Sequence, residues 1–271
     1  MDLKAMATET VRIVEHGEYM VPSGVTVSFG EEVARAVRGT VLYRPGDLDA
    51  LVLPAVTPTA PRIEVTSEKT GQAARRLLQM EGVADVLALN FASAKNPGGG
   101  FLGGARAQEE DLARCSALYA CLLTQPEYYT ANRAEPSMLY TDHLIYSPQV
   151  PFFRDEEGQL VERPFRVSLI TAPAPNAGEV LRRNASEGPR IQETLRRRAL
   201  HVLRVAAHQG HRTLVLGAWG CGVFRNEPRA VADSFARALD ALSGHFERVV
   251  FAVYERGGDG PNLRAFRERW S

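Results

Sequence analysis

A chain of 271 residues has room for one large α/β domain or two small ones, and 45% hydrophobic with 24% charged residues is the balance of a globular protein, not of a disordered, fibrous or disulfide-framed one. Thirty-two basic residues offset 32 acidic ones, which excludes the broad positive field of a nonspecific nucleic-acid binder and leaves room for a local anion site. There are three cysteines, no basic-then-apolar leader and no apolar run near the roughly 20 residues of a membrane span, so the expectation is a reduced, cytoplasmic protein with no membrane contact.

In chain order, residues 2–16 carry the spacing of an amphipathic helix (Ala5, Met6, Thr10, Ile13, Val14). Alternating segments at 18–22 and 24–29 flank Pro22-Ser23-Gly24 like a hairpin, and a helix near 31–38 and a strand near 40–44 follow. Three prolines in the nine residues from Leu53 to Pro61 read as a linker, so residues 1–61 are taken as an N-terminal accessory segment. Strands and helices then alternate: strand 62–66, helix 70–81, strand 85–91, helix 107–124, strand 165–171, helix 189–209, strand 213–218, helix 227–243, strand 247–254 and helix 260–269. The rhythm predicts an α/β fold with a mostly parallel sheet between helices. Residues 126–164 read as an insertion with a turn at Asp155-Glu156-Glu157-Gly158, whose aromatics (Tyr128, Tyr129, Tyr140, Tyr146, Phe152, Phe153) are expected to form mainly a small core.

Ligands of open α/β sheets bind beyond the carboxyl ends of strands, which points to two glycine-bearing connections. The first, Asn96-Pro97-Gly98-Gly99-Gly100-Phe101-Leu102-Gly103-Gly104, precedes a helix that begins Gln108-Glu109-Glu110; the second is Gly217-Ala218-Trp219-Gly220-Cys221-Gly222-Val223-Phe224. Glycine brings backbone amides against an anion with no Cβ in the way, so two such loops can grip a diphosphate. Gly98, Gly100 and Gly103 match the spacing of a dinucleotide fingerprint, yet the position where its trailing acid belongs is mid-helix, around Leu122 and Leu123. A nicotinamide-dependent oxidoreductase is therefore disfavoured, and no lysine-serine pair completes a P-loop.

Gly98-Gly99-Gly100, seven intervening residues and Gln108-Glu109-Glu110 together resemble the signature of poly(ADP-ribose) glycohydrolases of the bacterial type. The resemblance implies a macrodomain-like three-layer fold over residues 62–271, with an N-terminal extension, and cleavage of the ribose–ribose O-glycosidic bond from polymer ends. It makes Glu110 the catalytic acid and Glu109 a holder of ribose hydroxyls. It further implies Asn96 and Phe224 on the distal ribose, Gly98 to Gly100 and Gly220, Cys221, Gly222, Val223 and Phe224 on the diphosphate, Gln108 among the binding residues and Tyr254 against adenine. No cofactor is implied. The partners would be poly(ADP-ribose), ADP-ribose and ADP-ribosylated proteins, for a monomer active in the DNA damage response.

The residue chemistry supports one acid. Adjacent helical residues point about 100° apart and cannot straddle a bond from opposite faces, so one carboxyl carries the proton. A non-catalytic ADP-ribose reader would keep both loops and need no acid. His201, His208 and His211 lack further ligands and are expected to face solvent, so no metal is predicted. Cys221 has no identifiable histidine partner for a nucleophile, and Arg196-Arg197-Arg198 is expected to be a solvated helix face.

Overall fold

The computed structural model describes residues 2–271. Helix α1 (Leu3–His16) is capped by Asp2, whose carboxylate accepts from the Lys4 amide at 2.9 Å, and ends at Gly17 in the left-handed conformation. The predicted hairpin forms as β1 (Glu18–Met20) and β2 (Thr26–Ser28), followed by α2 (Gly30–Gly39), β3 (Val41–Tyr43) and α3 (Pro45–Asp49). Beyond the proline-rich stretch come β4 (Arg62–Thr66), α4 (Thr70–Arg75) with a wider π turn after it, β5 (Leu87–Phe91), α5 (Gln108–Cys115), α6 (Leu118–Leu123) and α7 (Pro126–Ala134). The remainder is β6 (Leu144–Arg154), β7 (Leu160–Ala172), α8 (Ala177–Arg183), α9 (Gly188–His208), β8 (Thr213–Leu216), α10 (Pro228–Ala241), β9 (Arg248–Ala252) and α11 (Pro261–Arg269).

Seven strands make one sheet in the order β3-β6-β7-β5-β8-β9-β4. The run from β7 to β4 is parallel, while β6 and β3 join antiparallel. Successive side chains of a strand face opposite ways, and the inner strands use both faces. Leu87, Leu89, Leu214, Leu216 and Phe251 enter one core, with α9 and α10. Val86, Ala88, Val215, Val250 and Ala252 enter the other, with residues of α2, α5 and α6. The result is the expected three-layer α/β/α architecture. Because β5 and β8 are neighbours, the two glycine loops that leave their carboxyl ends lie side by side.

Several local expectations are corrected. The single helix over 107–124 is two: Ser116 is extended (φ −145°, ψ 178°), bridges to Phe152 and uses its Oγ to donate to the Leu112 carbonyl at 2.7 Å. Cys115 and Cys121 thus sit on separate helices, buried, and all three cysteines are free. The segment 126–164 is no appendage, since β6 and the start of β7 belong to the main sheet, and Tyr128, Tyr129, Tyr146, Phe152 and Phe153 are buried in the two principal cores. Residues before the proline-rich stretch are likewise integrated: β3 pairs with β6, Val41 opposite Tyr146. Two of the three histidines are buried, His211 accepting or donating to the Tyr146 hydroxyl at 2.8 Å and bonded to Asp85, while His208 remains exposed. Among the described residues no helix is long and apolar enough to cross a membrane.

The arginine run is not a uniform solvated face either. Arg198 is fully buried, with Nε on the Asp142 carboxylate at 2.9 Å, Nη1 on the Pro173 carbonyl at 2.6 Å and Nη2 on the Leu139 carbonyl at 3.1 Å. Its neighbour Arg196 is exposed. Removing one member of a buried ion pair strands the other, so Arg198→Ala is expected to cost about 3–5 kcal/mol in urea unfolding, against about 0.5 kcal/mol or less for Arg196→Ala. Equal small effects would return the run to the surface.

Candidate active site

The residue period of β5 starts the site. Asn90 shares a face with Ala88, turned toward α5, and is completely buried at the carboxyl end of a strand that is otherwise apolar there. Its Nδ2 donates to Glu109 Oε1 at 3.2 Å and to Thr171 Oγ1 of β7 at 3.1 Å. The chain then turns through Ser93, whose amide donates to Glu109 Oε2 at 2.7 Å and whose Oγ accepts from the Asn96 amide at 3.1 Å. Both oxygens of Glu109 are therefore occupied by protein donors.

Gly98 and Gly99 have φ of 66° and 59°, and the loop they form folds directly over α5. A Cβ on Gly99 would collide with Glu110 Oε1 and approach Glu109 Oε2, so at this position only glycine lets the backbone pass. The Gly100 amide donates to Glu110 Oε1 at 2.9 Å. Glu110 Oε2, also buried, has no partner among the described residues. One glutamate is held at both oxygens, the other at one.

Gln108 ties the helix to the sheet: its Oε1 accepts from the Phe91 amide at 2.8 Å, and its Nε2 donates to the Leu89 carbonyl at 2.7 Å and to Thr70 Oγ1 at 3.0 Å. Its amide faces inward and is engaged by protein groups, which makes it a clamp on α5. Asn96, expected on a ribose, is exposed at the lip of the loop and accepts the Gly99 amide through its carbonyl.

The second loop is anchored from below by Trp219, whose Nε1 donates to the Ala172 carbonyl at 3.1 Å, and by buried Asn226, whose Nδ2 donates to the Gly220 carbonyl at 3.1 Å and the Pro175 carbonyl at 2.9 Å. Gly220 has φ of 71° and no room for a side chain. Gly222 and Val223 are exposed at the tip, and a Cβ on Gly222 would meet nothing within 4 Å. Phe224 is half-buried, its ring 6.0 Å from that of Tyr140. Burial pushes the Cys221 thiol well above its ordinary range, which suits a packed loop residue and not a nucleophile. Tyr254, just past β9, is 53% exposed, with Lys69 Nζ 6.0 Å from its ring centroid. No group of three His, Cys, Asp or Glu residues is gathered for a metal among the described residues.

Asn90, Thr171 and Ser93 were not singled out from the sequence. A polar residue closing a buried apolar strand was the available signal for Asn90.

Burial pushes the Glu109 carboxyl up to about 8, against the Ser93 and Asn90 donors that pull it down. Between the ordinary 4.5 and about 8 the folded protein then binds more protons than the unfolded chain, so this group's contribution falls as pH rises through that window. Glu109→Gln is expected to flatten that decline in thermal unfolding measured across the window; an unchanged slope would place the titration elsewhere.

The profile of the microbial-type PARG catalytic domain matches residues 7–155. The poly(ADP-ribose) glycohydrolase of Thermomonospora curvata is 50% identical, with a TM-score of 0.93 over 98% of each chain, and its structure with the inhibitor ADP-HPD gives 0.91 at the same identity and coverage. The Deinococcus radiodurans poly(ADP-ribose) glycohydrolase in complex with ADP-ribose is 50% identical, with a TM-score of 0.81 over 88% of this chain and 96% of that one. No curated protein sequence matches. Half the residues shared along nearly the whole length and on one fold, with the family profile over residues 7–155, make this chain a member of the microbial-type poly(ADP-ribose) glycohydrolase family.

Proposed function

We propose that the protein hydrolyses poly(ADP-ribose) from its ends, releasing ADP-ribose. The observation that carries this reading is the asymmetry of the two glutamates: Glu109 is tied down at both oxygens, whereas Glu110 keeps Oε2 free beneath a loop of backbone amides. A reader of ADP-ribose needs the loops but has no use for that free oxygen.

In the proposed reaction the second loop, 220–224, holds the diphosphate, the first loop, whose Gly99 and Gly100 amides are given to Asn96 and Glu110, closes over the acids, and Phe224 braces the distal ribose. Glu110 gives its proton to the 2′-oxygen of the preceding unit as the bond from that oxygen to the anomeric carbon breaks. The oxocarbenium ion that forms is offset by the neighbouring diphosphate. Water adds to the anomeric carbon and returns a proton to Glu110. Glu109, fixed by Asn90 and Ser93, orients ribose hydroxyls, and Tyr254 offers an exposed face to adenine. We place the activity in the cytoplasm, on ADP-ribosylated proteins of the DNA damage response, with the enzyme acting as a monomer and needing neither nucleic acid nor membrane.

Incubation with labelled poly(ADP-ribose) and resolution of free ADP-ribose from chain tests the reading directly; an intact polymer would overturn it. Glu110→Gln is expected to lose about 10²-fold to 10⁴-fold in kcat while ADP-ribose binding stays within a few-fold, and near-normal turnover would remove Glu110 from the chemistry.

The second loop gives an independent check. Because a side chain at Gly222 meets open space, Gly222→Val is expected to leave the melting temperature near wild type and to weaken ADP-ribose binding in calorimetry by about tenfold or more. Unchanged affinity would detach the tip from the diphosphate. Gly99→Val does not isolate binding in this way, since its Cβ would strike the glutamates themselves.

A further inference from the structure

Helix α1 lies against the root of the first glycine loop. Ala7, Phe101 and Ala113 are completely buried together in a small core of their own, with Val11 and Tyr119 at its margin. Gly104, with φ of 80°, passes so near α1 that a Cβ there would stand 3.3 Å from the Lys4 amide nitrogen. The completely buried Thr10 donates through Oγ1 to the Arg114 carbonyl at 2.7 Å, across 104 residues of sequence.

Arg114 continues the chain of contacts. It stands in the last turn of α5, only 3% exposed, and makes no ion pair among the described residues. Helical side chains lean toward the N-terminus of their helix, and this one runs back past the start of α5, where Nη1 donates to the Ala105 carbonyl at 2.7 Å. The Ala105 amide donates to the Gly100 carbonyl at 3.1 Å, and the Gly100 amide donates to Glu110 Oε1 at 2.9 Å. Hydrogen bonds and short backbone steps thus lead from Thr10 through Arg114, Ala105 and Gly100 to the carboxylate.

A buried guanidinium with no carboxylate partner is costly, and a methionine of similar length would fill the space without that desolvation. Stability alone therefore gives no reason for the charge. A loop that must keep the Gly100 amide on Glu110 does: the charged Nη1 holds the Ala105 carbonyl at the loop's root by a charge-assisted hydrogen bond that a methionine cannot make. We infer that Arg114 is a positioning residue for the first glycine loop and for Glu110 beneath it, kept in register by α1 through Thr10. The inference rests on the reading of this loop and Glu110 as part of the ADP-ribose site.

The test begins with calorimetry of ADP-ribose on the wild-type protein, because failure to bind there would sink the functional reading itself. Given binding, Arg114→Met is expected to weaken affinity about tenfold or more, the effect of losing one charge-assisted hydrogen bond, and to lower kcat on poly(ADP-ribose) with a melting temperature equal to or above wild type. Arg114→Lys, which keeps the charge and a donor, is expected to recover most of the loss. Thr10→Val, nearly isosteric, is expected to weaken binding by about threefold and carries the test should Arg114→Met not fold. Wild-type affinity in Arg114→Met or in Thr10→Val, or no recovery with lysine, would overturn the proposal and leave Arg114 as packing.

Discussion

Everything at the carboxyl end of this sheet depends on how closely a backbone can approach two buried carboxylates. Gly99 passes over Glu109 and Glu110 with no space for even a methyl group. That closeness lets one amide, that of Gly100, take one oxygen of Glu110 while the other remains unclaimed. It also desolvates Glu109, whose acidity is set by the contest between burial and the donors that face it. The loop and the acids are one device: displacing either by an ångström unmakes the other.

The fold satisfies that constraint from three directions. From the sheet, the two-residue period of β5 turns Asn90 toward α5, and Thr171 on the neighbouring strand shares its amide. From the helix layer, Gln108 bolts the first turn of α5 to β5. The third direction is the chain's own beginning, since α1 packs where the loop returns to the helix. Farther out, buried Arg198 gathers Asp142 with the carbonyls of Leu139 and Pro173, and so fixes the stretch that sets Tyr140 against Phe224.

What the sequence disclosed follows from what pattern can encode. Apolar strands, glycine-rich connections and a pair of acids opening a helix are local features, and they placed both loops and both glutamates. Ser116 breaks a helix with no glycine or proline to announce it; the cause is a bridge to Phe152, far away in sequence. Strand β6 was hidden by Pro148 and Pro151, which argue against an inner strand. They are tolerated because β3 pairs only with Leu144 to Tyr146, and beyond it the outer side of β6 meets only the Ser116 bridge at Phe152 and the Ala117 amide on the Pro151 carbonyl, so no ladder there needs a proline N–H. Arg198 could have been noticed, since it falls on the helical stripe of Leu195, Ala199 and Val202, all buried. Charge type outweighed position in that reading. The roles of Asn90 and Arg114 needed the contacts themselves.

The outer margin of β6 bears on what the sheet does when molecules crowd together. An open row of amides and carbonyls is where strands of separate copies can join and grow into aggregates. Here the two margins deny that in different ways. Prolines along β6 remove donors past β3, the register shifts between Ser147 and Val150, and the stretch beyond is buried, with Ser116 and Ala117 on its outer side. At the other margin, β4 is five residues long and bears Arg62 and Glu64, the latter gripped by Arg76 at 3.0 Å and Arg248 at 2.8 Å. An incoming strand would have to desolvate those charges to gain a few hydrogen bonds, so the sheet resists growth at β4 and along β6 without being rolled into a barrel.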